Sequence, residues 1–110
     1  MADILKILGQ VAPADTSNAD LYTVPEGTQT TVSSLVVCNL TTSTPTFRVA
    51  VRPFGATVAN EMYIYYDKVT VASDSRFIII GITLSDTDIV TVRSSAANQL
   101  AFTLFGVETS

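Results

Sequence analysis

The stretch Leu21–Pro53, LYTVPEGTQTTVSSLVVCNLTTSTPTFRVAVRP, constrains the fold more than any other part of the chain. It reads as strand, tight turn, long strand, polar turn, strand. Phe47, Val49 and Val51 alternate with Arg48, Ala50 and Arg52. One face is therefore apolar and the other charged or small, the period-2 signature of a half-buried antiparallel strand. Pro25-Glu26-Gly27 is a turn in which Pro presets one φ and Gly takes a positive one. Thr46–Pro53 is expected to return antiparallel after the polar turn at Leu40–Pro45.

The same pattern continues to the C-terminus. Strands are expected at Leu21–Val24, Thr28–Asn39 and Thr46–Pro53, then across Met62–Val71, with a bend at Asp67-Lys68. Arg76–Leu84 is expected as a central strand, with Ile78, Ile79 and Ile80 buried on both faces. Ile89–Arg93 comes back after a tight turn at Ser85–Asp88, and Gln99–Val107 closes the chain. Ser73–Ser75, with Asp74, reads as a turn. About seven or eight short strands with regular turn signals indicate an all-β antiparallel sandwich, jelly-roll-like or immunoglobulin-like, or a small barrel. Val, Ile and Thr suit a pleated surface. Arg52 with Pro53, and Lys68, are candidate edge blockers.

The N-terminal segment differs. Ile4, Leu5, Leu8 and Val11 fit one helical face, whereas strand alternation fails because Ile4 and Leu5 are adjacent. Either a short helix or an extended arm that pairs with the body or a neighbour is expected. Residues 1–19 are thus assigned to an N-terminal arm and loop, and 20–110 to a single β-sandwich domain. At 110 residues the chain is long enough for one core. Its balance of 47% hydrophobic to 15% charged residues argues against disorder. It also suits a subunit that buries further surface in an assembly.

Reactive centres are scarce in the sequence. There is no His, so the commonest general base and metal ligand is missing and no Ser-His-Asp arrangement can form. A single cysteine, Cys38, excludes both an internal disulfide and a Cys-rich zinc site. It follows Val36 and Val37 and reads as a small buried hydrophobe. Asp86 and Asp88 flank Thr87 and could share a cation, but without the remaining EF-hand ligands they read as turn carboxylates. No catalytic, cofactor or metal residues are assigned, and no cofactor is expected. The six basic residues are scattered, so nucleic-acid binding is not expected. No run approaches the ~20 apolar residues of a membrane helix, and the N-terminal apolar patch is too short for a signal peptide.

Met62-Tyr63-Ile64-Tyr65-Tyr66 concentrates the aromatics. On a strand Tyr63 and Tyr65 share one face. With Asn60 nearby, they are candidates for an interface or a ligand surface, as a sugar-binding platform or as core and subunit contact.

Several stretches together resemble small structural proteins of tailed bacteriophages, especially those of cyanobacterial and related aquatic phages. They are KILGQ (6–10), DLYTVPEGTQTTVSSLVVCN (20–39), TFRVAVRP (46–53), MYIYYD (62–67) and LAFTLFGVE (100–108), with GITLSDTDIVTV (81–92) beside them. The resemblance covers nearly the whole chain and brings no catalytic motif. It implies a virion component assembled in a bacterial host cytoplasm. The expected function is a non-enzymatic capsid decoration or cement protein. The alternative is a neck, tail, baseplate or fibre-associated protein that could bind host glycan. Expected partners are further copies of itself, such as a trimer, and the major capsid or tail proteins. Ile4, Leu5, Ile7 and Leu8 are the candidate docking arm, whose truncation through Gly9 is expected to spare the fold.

Overall fold

A computed structural model describes residues 3–70 and 75–110. Among these residues eight strands form two four-stranded antiparallel sheets. They are β1 (Asp3–Val11), β2 (Ala19–Thr23), β3 (Gln29–Asn39), β4 (Thr46–Arg52), β5 (Tyr63–Val69), β6 (Ser75–Leu84), β7 (Ile89–Ser94) and β8 (Leu100–Thr109). Sheet A runs β1-β8-β3-β6 and sheet B runs β2-β7-β4-β5. The pairs β1–β8, β2–β7, β3–β6 and β4–β5 nest inside one another. That nesting is a long hairpin rolled into two facing sheets, the jelly roll. An immunoglobulin sandwich would instead place its first and second strands side by side.

Strand positions follow the sequence pattern closely, but strand partners do not. β4 does not return beside β3; it pairs with β7 and β5 in the other sheet. The reason lies in the Leu40–Pro45 connection. Asn39 is buried, and its amide donates to Ser43 O at 2.7 Å while its Oδ1 accepts from Thr41 N at 3.0 Å. The loop thereby carries the chain across the core instead of folding it back. β7 likewise does not pair with β6 but lies in sheet B. β6, expected as central, is an edge strand. Ile78 is buried in it, whereas the side chains of Ile79 and Ile80 lie outside the described residues, as do Val71, Ser73 and Asp74. Arg52 sits on interior strand β4 and so blocks no edge. Its guanidinium instead holds Gly55 O, Ala56 O and Asp20. Lys68 does lie exposed on edge strand β5.

The N-terminal segment is extended and pairs with the body: β1 runs antiparallel to β8 from Asp3 to Val11. Leu8 enters the core and Val11 packs against it. That core lies between the sheets, built on Leu35, Val37, Phe47, Val49, Val92, Phe102 and Leu104. Phe47 meets Phe102 edge-on, with ring centroids 6.1 Å apart.

The register slips of sheet A fall close to one line. Register slips occur between Ile7 and Gly9 on β1, and between Val32 and Ser34 where β3 meets both of its neighbours. Each slip inserts a residue and increases local twist. The phase of β3 changes there: Thr30 and Val32 face inward before it, and Leu35, Val37 and Asn39 after it. Aligned slips on adjacent strands are a device by which a sheet bends.

Candidate interaction surface

Among the described residues β1 is the outer strand of sheet A, with β8 on one side only. Its alternation decides which of its side chains can meet a partner. Leu5 sits opposite Val107 and Ile7 opposite Phe105 on the outer face of the sheet. Leu5 is 81% exposed, and Ile4 and Ile7 are each 52% exposed. Phe105 and Val107 are half-buried beside Leu5 and Ile7, whereas Ile4, opposite Glu108, alternates to the other face. The result is a short apolar row next to an open strand edge. Leu8, expected in the same docking set, is buried at the register slip and belongs to the core. Removing residues 1–9 would therefore strip a strand and a core side chain, and the truncation cannot spare the fold.

Lys6 points the other way, toward a polar cluster where the two sheets meet. Its Nζ lies 3.2 Å from Glu108 Oε1. The other carboxylate oxygen of Glu108 accepts from Tyr22 Oη at 2.5 Å, and Tyr22 Oη lies 2.8 Å from Thr30 Oγ1. The single phenolic proton goes to the carboxylate, so Thr30 donates to the phenol. The sequence carries one signal of this cluster. Leu100, Phe102 and Leu104 share a parity, and Glu108 carries that parity inward at the strand's end.

Burial and the neighbouring carboxylate push the Tyr22 phenol up to about 12. The Tyr22 hydroxyl, then the Lys6 ammonium, hold Glu108 below the usual carboxylate range against the opposing cost of burial. Two stability limits follow. Glu108 has the lower pKa in the fold, so its contribution is present above its unfolded value of about 4.3 and is lost as pH falls through the depressed folded value. Tyr22 has the higher pKa in the fold. Its contribution is complete below its unfolded value of about 10 and disappears as pH rises toward about 12. Tyr22→Phe should cost about 1–3 kcal/mol at neutral pH and remove the alkaline limit. Urea melts at acid, neutral and alkaline pH check both points; an unchanged alkaline profile in Tyr22→Phe would contradict the assignment.

The tyrosine candidates separate. Tyr65 is half-buried and packs on Phe47, with centroids 6.0 Å apart. Tyr63 meets Tyr66 edge-on at 5.0 Å, although strict alternation would place them on opposite faces. Register slips where β5 meets β4, and the positive φ of 52° at Asp67, bring them together. The exposed ring is that of Tyr66. Asn60 is exposed in a 3-10 turn, Asn60–Met62. No flat Tyr63–Tyr65 platform forms.

The turn carboxylates do turn work. Asp88 accepts from Ser85 N at 2.9 Å and Phe54 N at 3.0 Å, and Asp86 from Gly27 N at 3.4 Å. Among the described residues no three His, Cys, Asp or Glu side chains gather as a metal site. Cys38 is half-buried, not buried: after the slip in β3 it alternates with the inward Val37 and Asn39 and lies on the outer face.

No family model and no curated protein sequence matches the chain. Among solved structures, it is similar to a chain in the structure of the Gx strain of infectious bursal disease virus. The TM-score is 0.48 at 11% identity, covering 97% of this chain and 31% of that one. The chain thus spans under a third of its neighbour's length. A likeness at this level carries no functional argument, and none of these comparisons points to tailed phages.

Proposed function

We propose that this chain is a non-enzymatic virion structural protein on the exterior of a bacteriophage particle, acting as a capsid decoration or cement protein. The observation that carries the proposal is the β1 edge, where exposed Leu5 and half-exposed Ile7 stand in line with Phe105 and Val107. Proteins usually blunt an open strand edge with charge, proline or cover. An apolar one fits a surface that is covered after assembly. The extended resemblance to phage structural proteins supports the same reading. Each copy would lay β1 on a neighbouring shell subunit and use further contacts on its own oligomer. Repeated weak contacts then make lattice opening unfavourable.

The placement is tested by copy number in purified virions, measured by quantitative mass spectrometry against the major capsid protein. Copies in proportion to the shell lattice support decoration. Copies matching a single vertex or tail tip move the protein to the neck, baseplate or fibres. Absence from the particle overturns the virion reading.

A further inference from the structure

The outer face of sheet B holds two arginines that the register sets side by side. Arg48 on β4 and Arg93 on β7 are direct cross-strand partners. Like charges so placed destabilise a sheet unless something answers them. Asp67 pairs directly with one of them and also feels the charge of the other. Arg48 Nε donates to its Oδ1 at 2.7 Å and Nη2 to its Oδ2 at 3.3 Å. The same guanidinium lies 4.0 Å from the centroid of the Tyr66 ring. Arg48 is thereby fixed in place. Arg93 is anchored through Nε alone, which donates to Thr16 O at 2.7 Å. Its two terminal amino groups make no hydrogen bond among the described residues, although the Asp67 carboxylate is near enough to feel their charge. Beside it opens a cavity of about 290 Å³, bordered by both arginines, Asp67, Thr16, Thr46 and Ser95.

We propose that this cavity binds the carboxylate of an acidic sugar. A guanidinium anchored at Nε presents its remaining N–H groups as a fork, which matches a carboxylate at two points. An anion there adds to Asp67 in offsetting the repulsion between Arg48 and Arg93. The hydroxyls of Thr16, Thr46 and Ser95 can donate to and accept from ring hydroxyls. The volume is at the small end for ligand sites, suited to one sugar unit. The chain's net charge of −4 opposes anion capture at long range, so binding depends on these local groups and is weak, roughly millimolar. This site lies on a different sheet from the β1 row and does not depend on where the protein sits on a particle.

The test is a two-dimensional amide and arginine Nε NMR titration of the whole chain at constant ionic strength. Glucuronate, glucose, acetate and N-acetylglutamate are the probes. Glucuronate should give saturable shifts at Thr16, Thr46, Ser95 and the Arg93 Nε–H, glucose none, and acetate weaker ones. Arg93→Gln should lose the saturable response. Asp67→Asn should tighten glucuronate binding roughly two- to fivefold by removing the opposing charge. Asn tolerates the positive φ at this position, so this gain cannot be mistaken for misfolding. No saturable response to glucuronate, an unchanged affinity in Arg93→Gln, or no gain in Asp67→Asn would overturn the site. N-acetylglutamate binding as tightly as glucuronate would overturn the sugar assignment.

Discussion

Replacing Gly106 by Ala should cost about 3 kcal/mol, at the upper end of the range for overpacked cores, and lower the melting temperature by roughly 15 °C in a domain of this size. Gly106 sits opposite Val32 on β3 and Lys6 on β1, just before the line of register slips. A Cβ built there would lie 2.3 Å from Thr31 O, 2.9 Å from Leu8 Cδ1 and 3.1 Å from Val32 Cα. Leu8 can turn aside, but Thr31 O and Val32 Cα are backbone of an interior strand. The methyl group can be accommodated only by separating β8 from β3 or flattening the bend, and both disturb the core on either side. Gly81→Ala is the control. A Cβ at Gly81 meets nothing within 4 Å and its φ is not positive, so the change should be neutral or slightly stabilising through the unfolded chain. Thermal melts of the two variants decide the matter. Equal stability would mean that the close approach of β8 to β3 is not what shapes sheet A.

The same positions show what a sequence can and cannot reveal about this fold. Alternation of Val, Ile and Phe with polar residues marks where each strand runs and which face it buries, because both depend on side-chain direction alone. It says nothing about which strand lies alongside. Thr46–Arg52 carries an unmistakable strand pattern, yet its partners are β7 and β5 and not the preceding β3. The expectation of simple return failed because a polar loop can cross between sheets as readily as it can turn back. β6 was expected to be central because its apolar run suggested cover on both faces, but an edge strand can carry such a run when one of its faces lines the core. The surface sites were hidden for the same reason. The pairing of Arg48 with Arg93 exists only through the β4–β7 register. The contact of Tyr63 with Tyr66 exists only through slips that break strict alternation. Of the N-terminal apolar set, the sequence offered no means to separate buried Leu8 from exposed Leu5, since a slip between Ile7 and Gly9 inverts the alternation locally.

The double variant Leu5→Lys/Ile7→Lys should leave the isolated protein as stable as wild type while lowering its occupancy on particles by at least about tenfold. Stability is spared because Leu5 stands mostly and Ile7 about half in water, and substitutions at exposed positions usually shift stability by no more than about 0.5 kcal/mol. Binding is not spared if the row is covered on the particle. Burying a Leu or Ile side chain contributes about 1.5–3 kcal/mol, and each 1.4 kcal/mol lost is about a tenfold change in affinity. The lysines add a second penalty, because charge on an edge strand is how proteins deter strand addition. Changing Lys6 instead would confuse the result, since it pairs with Glu108 and touches the buried Tyr22 cluster. The measurement is reconstitution of particles lacking the protein with purified wild type or variant, followed by quantitation of bound copies. Wild-type occupancy by a correctly folded double variant would remove β1 as the docking strand. A loss of occupancy at unchanged melting temperature would tie assembly to two side chains that the fold itself does not need.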